Sequence, residues 1–307
     1  MNANRDKSRR TRARIAIGLM ASLIVSTAAI AQVPVTDLYL FQMTRDDTSR
    51  WHIHSPSYLS AFNPDGYTNQ PEFVSDTMLF VSVRKAGDKQ NDIYALDLDA
   101  LSVTRLTNTP ENEFSPLLRP DGATFSCVRQ AAGEEVDQQV FIYPLDRSDN
   151  GYSALPDLRT VGYHCWLDAD AVALFLVGDP VQLALANALT NTHRIYLSDI
   201  GRCLRRTADG KLAYVHKYSD AYWYLKVLDP ETRRSEILTA TLPGQEDFAI
   251  GPDGTYVMGA GSKLYTFHPA TDSTWREVFD LGVFGVQRIT RLAVNDSWRV
   301  ALVSAHE

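Results

Sequence analysis

The chain has 307 residues, of which 45% are hydrophobic and 22% are charged, with 17 glycines and 14 prolines. This composition is typical of a globular protein and excludes a disordered chain or a low-complexity fibre. The formal net charge is −7. An acidic chain gains nothing from counterion release on phosphate backbones, so neither a nucleic acid nor an anionic lipid surface is expected as a partner.

The first 31 residues have the pattern of a secretory signal peptide. A basic segment, residues 1–14, precedes an uncharged apolar run from Ile15 to Ile30, and Ala29 and Ala31 are the small residues that a signal peptidase reads. The run is shorter than the roughly 20 apolar residues of a membrane-spanning helix. We therefore expect cleavage after Ala31, no stable membrane insertion afterwards, and a mature domain of residues 32–307 in the periplasm or outside the cell.

The three cysteines are too few for a disulfide scaffold. Cys127, Cys165 and Cys203 also lack the paired C-x-x-C spacing of a structural zinc site. The sequence predicts that all three are buried, and that Cys165 and Cys203 remain thiols on neighbouring strands that diverge too far for a disulfide.

The mature stretch contains a repeat that is marked by polar turns between apolar runs. Successive acidic turn residues are 45, 49, 39, 44 and 43 positions apart, and they are Asp76, Asp121, Asp170, Asp209, Asp253 and Asp296. A period of about 40 to 45 residues is that of a four-stranded propeller blade. The segments after the turns are short, apolar and rich in β-branched and aromatic residues, as strands require; examples are 77–83, 171–177 and 298–304.

These features predict an all-β fold, a six-bladed β-propeller of four-stranded antiparallel blades. The last repeat supplies two strands, residues 289–304, before the chain ends. Residues 36–43 and 50–54 read like a third and a fourth strand. We expect the N-terminal pair to close the ring against the C-terminal hairpin, which leaves no open sheet edge at the seam.

One repeat carries a recognisable sequence, LTNTPENEFSPLLRPDG at 106–122, echoed by Leu238-Thr239 and by GPDG at 251–254. It resembles the WD40-like repeat of the TolB family, with Leu118 where the family's box has a tryptophan. The resemblance implies an exported six-bladed propeller that serves as a binding platform. TolB itself carries an α/β domain before its propeller, whereas residues 32–35 alone precede the first predicted strand here, so we do not expect the Tol-specific role.

Sequence motifs for catalysis or for cofactor binding are absent. The chain has no G-x-S-x-G elbow, H-E-x-x-H, P-loop or Rossmann fingerprint. His52 and His54 lie two apart on a predicted outer strand and therefore face the same side. No acidic or cysteine pair matches them, so we expect solvated side chains there and no metal or cofactor.

The start of each blade's innermost strand is the strongest candidate for a binding site. A hand alignment places an ionisable residue there in all six blades: Glu72, Glu113, His164, Arg202, Asp247 and Arg288. In a propeller such positions ring one mouth of the central channel, where partial dehydration strengthens polar interactions. The ring could bind a polar ligand, or its opposite charges could simply neutralise one another.

Two longer connections interrupt the repeat. Residues 130–138 include Glu134 and Glu135, and residues 55–71 contain three aromatics, Tyr58, Phe62 and Tyr67. Loops on a rigid scaffold often carry recognition, and aromatic anchors dominate interface energies. We expect the 55–71 segment to be the better candidate for a protein contact, although an ordinary surface excursion is the simpler interpretation.

Two functional hypotheses follow. The first is a non-catalytic platform that binds an envelope protein, a secreted protein or a small polar ligand through the channel mouth and the 55–71 segment. The second is a propeller-type enzyme, a lyase or a lactonase, that uses Glu113, His164 and Asp247 with a divalent cation. Because Arg202 and Arg288 would repel a cation, the sequence favours the first.

Overall fold

The computed structural model describes residues 34–131 and 137–306. Within these residues, 24 strands form six four-stranded antiparallel sheets arranged as the blades of a propeller. Two 3₁₀ turns, Ser60–Phe62 and Leu281–Phe284, lie in connections between blades. The fold class predicted from the repeat is confirmed. The predicted signal peptide, residues 1–31, lies outside the described residues.

The closing blade joins the two ends of the domain. It contains the strands β1 (Thr36–Arg45) and β2 (Trp51–Tyr58) from the N-terminal side and, from the C-terminal side, β23 (Arg288–Val294) and β24 (Arg299–Ala305). Strand β1 pairs antiparallel with β24 in a register that joins Thr36 to Ala305. The predicted closure is therefore confirmed, and β23 is the innermost strand of this blade.

Blades 1 to 5 are each made from one continuous stretch of chain, with their strands in sequence order from the channel outwards. Blade 1 contains β3 (Tyr67–Phe73), β4 (Met78–Arg84), β5 (Asp92–Asp97) and β6 (Ser102–Arg105). Blade 2 contains β7 (Asn112–Leu118), β8 (Thr124–Gln130), β9 (Gln138–Pro144) and the short β10 (Tyr152–Ser153). Blade 3 contains β11 (Val161–Trp166), β12 (Ala171–Leu176), β13 (Gln182–Asn187) and β14 (Thr192–Ser198).

The same order continues in the next two blades. Blade 4 contains β15 (Ile200–Arg206), β16 (Leu212–Lys217), β17 (Trp223–Leu228) and β18 (Ser235–Ala240). Blade 5 contains β19 (Phe248–Ile250), β20 (Tyr256–Ala260), β21 (Lys263–Phe267) and β22 (Arg276–Asp280). The innermost strands of the six blades, which surround the channel, are β3, β7, β11, β15, β19 and β23.

The hydrophobic core is divided among the seams between blades. Six clusters of buried apolar side chains occur in the described chain, and each joins two neighbouring blades. At the seam between blades 1 and 2, for example, Phe80 and Phe125 pack edge to face with ring centroids 5.5 Å apart. A blade is apolar on both faces because it has a neighbour on each side, which explains the nearly continuous apolar runs of the middle strands.

Innermost strands are irregular, and this irregularity controls which side chains reach the channel. Strands β3, β7, β11, β15 and β23 each show a register shift against their neighbour, the signature of a β-bulge. In β3 and β7 the bulge has the same chemistry, a residue with positive φ followed by proline: Gln70 (φ 55°) with Pro71 and Ser115 (φ 53°) with Pro116. A bulge adds one residue and reverses the facing of those that follow.

Candidate functional site

The innermost strands enclose a small polar cavity in the central channel, here called the channel cavity. Its volume is about 60 Å³. All six blades contribute to its wall, through Glu72, Ser115, Tyr163, Arg202, Asp247 and Arg291 among others. One buried water needs roughly 10–15 Å³ in the same measure, so the cavity has room for a few waters.

Asp247 is the centre of the charge network in this cavity. Its Oδ2 atom lies 2.8 Å from Arg202 Nη2 and 2.8 Å from Arg291 Nη1. Its side chain is 15% exposed, so the carboxylate is largely removed from water while it is shared by two guanidinium groups. Charge-assisted hydrogen bonds of this kind are the strong ones, and they join the inner edges of blade 4, blade 5 and the closing blade.

Two further contacts cross the channel between opposite blades. Arg205 Nη1 in blade 4 lies 3.1 Å from Glu72 Oε2 in blade 1. Arg291 Nη2 in the closing blade donates to Tyr163 Oη in blade 3 over 2.9 Å. Burial raises the pKa of Glu72, and Arg205 offsets part of that rise. These crosswise contacts fill the channel, which explains why the cavity is small.

The structure brings four of the six predicted mouth residues to this cavity. Glu72, His164, Arg202 and Asp247 line it, whereas Glu113 and Arg288 do not. Arg288 is exposed at the start of β23, and Arg291, three residues later, faces the cavity instead. The cavity therefore includes four of the six expected positions. Glu113 and Arg288 precede the bulges of their strands, whereas Glu72, His164 and Arg291 follow theirs.

Glu113 is fully buried in blade 2. It accepts hydrogen bonds from the hydroxyl of Thr109 and, over 3.4 Å, from Thr107 Oγ1. Burial raises the pKa of Glu113 to about 7, although the Thr109 hydrogen bond opposes that rise. It is a structural carboxyl group of the blade and not part of the channel wall.

His164 borders the channel cavity but is 4% exposed. Its Nε2 lies 2.7 Å from Ser126 Oγ, and that oxygen also accepts a hydrogen bond of 2.8 Å from Trp166 Nε1. Burial lowers the pKa of His164 to about 3, so the imidazole is neutral at physiological pH. The residue fixes blade 3 against blade 2 and offers no charge to a ligand.

The three aromatics of the 55–71 segment have different environments. Tyr58 is 43% exposed at the end of β2, and its hydroxyl donates to Asp37 over 2.7 Å. Phe62 is partly buried in the seam between the closing blade and blade 1. Tyr67 begins β3; burial raises its pKa, and Tyr163, Arg291 and Arg202 are close enough to act on it. The segment is thus partly strand and not one continuous loop.

Arg205, Arg291 and Tyr163 are the cavity residues that the sequence reasoning missed. Each lies in an innermost strand after or beside a bulge. The strands that hold them contain no proline that would signal the irregularity. Such a signal exists for β3 and β7, where Pro71 and Pro116 suggest an irregular ladder and match Glu72 to Leu117 and not to Glu113.

The remaining candidates lie on the outer strand of the closing blade and in the buried seams. His52 bonds to Asp46 over 2.8 Å and His54 to Thr44 over 3.0 Å on the outermost strand of the closing blade. Across residues 34–131 and 137–306, no three His, Cys, Asp or Glu side chains are grouped to hold a metal ion. Cys127, Cys165 and Cys203 are buried free thiols.

The described part of the chain contains no helix long and apolar enough to cross a membrane.

The insertion at 130–138 is described at its ends, where Asp137 pairs with Arg159 over 2.8 Å. The acidic pair Glu134 and Glu135 falls outside the described residues.

Solved structures share this architecture at low sequence identity. A TolB candidate from Agrobacterium tumefaciens superposes with a TM-score of 0.66 at 11% identity, over 90% of this chain and 99% of the other. A chain of the nidogen–laminin complex gives 0.63 at 12% identity, over 84% and 97%. Oligogalacturonate lyase from Vibrio parahaemolyticus gives 0.51 at 11% identity, over 89% and 99%.

No protein-family model matches the chain, and the search of curated proteins found no match. Identities this low establish the fold alone, and that fold is shared by a protein from a binding complex and by an enzyme. Taken with the blade topology, the comparison shows that the chain has the TolB-like six-bladed propeller fold.

Proposed function

We propose that the protein is an exported, non-catalytic binding platform that contacts a protein partner with one face of its propeller. Cleavage after Ala31 would release residues 32–307 into the periplasm or the extracellular medium. The partner is then an envelope or secreted protein. A small polar ligand that binds the same face is the second form of this hypothesis.

The observation that carries the proposal is the closed channel. Contacts from Arg205 to Glu72 and from Arg291 to Tyr163 join opposite blades, and a cavity of about 60 Å³ remains. A sugar ring or a lactone has more atoms than the few waters that fit there. A ligand therefore meets the end of the channel and the surrounding loops, as a protein surface does.

The face on which the innermost strands begin, here called the entrance face, has the chemistry of a protein contact. Exposed aromatic side chains are present on it in two blades: Tyr58 (43% exposed) in the closing blade, and Tyr218 (72%) and Tyr222 (63%) in the β16–β17 hairpin of blade 4. Exposed Arg288 lies on the same face. Tyrosine and arginine are the residues that most often dominate binding energy at interfaces.

The charge of the channel indicates what the partner offers. Three arginines, Arg202, Arg205 and Arg291, face two carboxylates, Glu72 and Asp247, in the cavity wall. Glu246 is shared by Arg202 at 3.4 Å and Lys217 at 2.7 Å, so the whole cluster holds four cations and three carboxylates. One positive charge is thus left over in a partly dehydrated position, where electrostatic interactions are stronger than in water. An acidic side chain presented by the partner fits this excess.

The alternative is a lyase or lactonase with Glu113, His164 and Asp247 around one reaction centre. Glu113 lies outside the cavity, and His164 is neutral and bonded to Ser126. Asp247 is shared by two guanidinium groups, which repel a divalent cation. The arrangement therefore favours binding over acid–base catalysis.

An affinity capture from envelope extract tests the proposal. The bait is the mature protein, and the test variant combines Tyr218→Ala, Tyr222→Ala and Arg288→Glu on the entrance face. The matched control combines Leu101→Ala and Leu189→Ala, which are 82% and 77% exposed on the opposite face. We expect a protein that is held by the parent and the control and lost by the entrance-face variant.

Equal retention by both variants, with both still folded by circular dichroism, would contradict the entrance-face assignment.

Export is tested separately, by determining the N-terminus of the product. We expect the full chain expressed in a Gram-negative host to yield a product whose N-terminus is Gln32. An uncleaved N-terminus would contradict the proposed signal peptide without affecting the binding assignment.

A further inference from the structure

A second concave site lies at the rim of the propeller, between blades 3 and 4, and is here called the rim groove. Its volume is about 650 Å³. Strand β14, the outermost strand of blade 3, forms one wall, and the β17–β18 hairpin of blade 4 forms the other. The Tyr196 hydroxyl donates to the Arg233 carbonyl over 3.2 Å and joins the two walls.

The floor of the rim groove is apolar. Leu167 is 7% exposed, and Ala171 and Leu185 are partly buried beside it on the side of blade 3 that packs against blade 4. A pocket of a few hundred cubic ångströms with apolar walls and a few polar groups is the usual form of a small-molecule site.

The polar groups of the rim groove are all basic or neutral. Arg194 lies on the face of β14 that is directed towards blade 4, and Arg233 lies in the facing hairpin. His193, the next residue of β14, lies on the opposite face of the sheet. No carboxylate lines the groove. The acidic residues nearest in sequence are engaged elsewhere or lie outside the lining; Asp168, for instance, accepts hydrogen bonds from the backbone of its own turn.

These basic side chains are also unpaired. In the described ranges, the side chains of His193, Arg194 and Arg233 have no ion pair and no hydrogen bond. The contrast with the rest of the molecule is clear, because arginines such as Arg105, Arg129 and Arg276 are each bound to a carboxylate. Unpaired guanidinium groups on both walls of an apolar groove, in a chain of formal charge −7, suit an anion with an apolar body.

We propose that the rim groove binds an anionic amphiphile, a molecule with one carboxylate or sulfonate and an aliphatic or aromatic body. The body lies on Leu167, Ala171 and Leu185, on the side of blade 3 that faces blade 4, and the anion lies between Arg194 and Arg233. A guanidinium group binds a planar oxyanion through two parallel hydrogen bonds, which supplies specificity as well as affinity. This site is independent of the entrance face and lies towards the opposite end of the blades.

The test uses 8-anilinonaphthalene-1-sulfonate as the probe and decanoate as the competitor. We expect the folded protein to enhance the probe's fluorescence with one saturable site and decanoate to displace it. Arg233→Gln should weaken probe binding by about tenfold, because it removes one of the two charge-assisted contacts to the sulfonate. The double variant Arg194→Gln, Arg233→Gln should abolish saturable binding.

The matched control is Arg234→Gln. Arg234 is the next residue of the same hairpin, but it faces a different depression, with Lys211 and Glu236. This variant removes the same charge from the same turn, so it should leave probe binding unchanged. Equal weakening by Arg233→Gln and Arg234→Gln would overturn the proposal.

Two other outcomes would also overturn it. Displacement of the probe by dodecyltrimethylammonium as effectively as by decanoate would show that the anion is not recognised. Failure of Thr192→Glu, which places a carboxylate on the groove wall, to reduce probe binding would locate the probe elsewhere. Thr192 lines the groove and is exposed, so this variant is expected to fold.

Discussion

Two arcs of the same ring stabilise ionisable side chains near the channel in opposite ways. The charged arc, formed by Arg202, Arg205, Asp247 and Arg291 in blade 4, blade 5 and the closing blade, pairs each charged group with an opposite charge. The neutral arc in blades 2 and 3 buries Glu113, Ser126 and His164. There, burial raises the pKa of Glu113 to about 7 and lowers the pKa of His164 to about 3.

The difference depends on access to the channel cavity. The charged arc faces that cavity and retains some contact with water, so the Arg202 side chain is still 34% exposed. In the neutral arc, neutralisation is less costly than keeping a charge without a close counter-ion. The lesson is that equivalent blades can place ionisable residues in very different roles, and only the charged arc presents ionic groups that a ligand could use.

The largest effect is expected from Asp247→Asn. The substitution leaves two guanidinium groups, those of Arg202 and Arg291, without their shared carboxylate in a largely buried position. We expect a loss of about 3 kcal/mol in the free energy of unfolding, measured by urea denaturation.

The control for this prediction is Asp253→Asn. Asp253 pairs with Arg45 at 3.6 Å, and both side chains are more than a third exposed. Exposed pairs contribute about 0–1 kcal/mol. If the two variants lose the same stability, the charged arc is not the rigid centre that the contacts indicate.

The next effect concerns Glu113 and depends on pH. A carboxyl group whose pKa rises on folding favours the folded state most below its unfolded pKa, near 4.5, and that advantage is lost as the pH rises through the folded value of about 7. In Glu113→Gln this pH dependence should disappear, so at pH 8 the variant should be more stable than the parent by about 3 kcal/mol.

Thermal or urea unfolding of both proteins at pH 5 and pH 8 measures this effect. At each pH, the free energy of unfolding of the parent is subtracted from that of the variant, which cancels the contribution of the other titrating groups. The prediction concerns how this difference changes between pH 5 and pH 8. A difference that does not change with pH would mean that Glu113 is hydrated and ionised, and that the neutral arc is not neutral.

A smaller effect is expected from Ser126→Ala. Ser126 Oγ accepts from Trp166 Nε1 and contacts His164 Nε2, so its removal leaves two buried polar groups without a partner. The expected loss is about 1–3 kcal/mol in urea denaturation. Ser57→Ala, on the exposed face of β2, should change stability by less than about 0.5 kcal/mol, and a similar loss in both would contradict the assigned network.

Much of the fold could be read from local patterns. The turn residues from Asp76 to Asp296 mark the repeat, and the apolar runs between them mark the middle strands, because a blade packed on both faces needs apolar residues on both. The pairing of 36–43 with the C-terminal hairpin followed from counting strands. The site was predicted in part: Glu72, His164, Arg202 and Asp247 reach the channel cavity, but Glu113 and Arg288 do not.

By itself, the sequence determined the number of blades, the order of the strands and the way the ring closes, because these follow from spacing and hydrophobicity along the chain. Tertiary structure decided which ionisable residues meet. The contacts between Arg205 and Glu72 and between Arg291 and Tyr163 join residues 133 and 128 positions apart. Such contacts depend on irregularities of one or two extra residues in the innermost strands, and a local pattern of residue types does not encode where these occur.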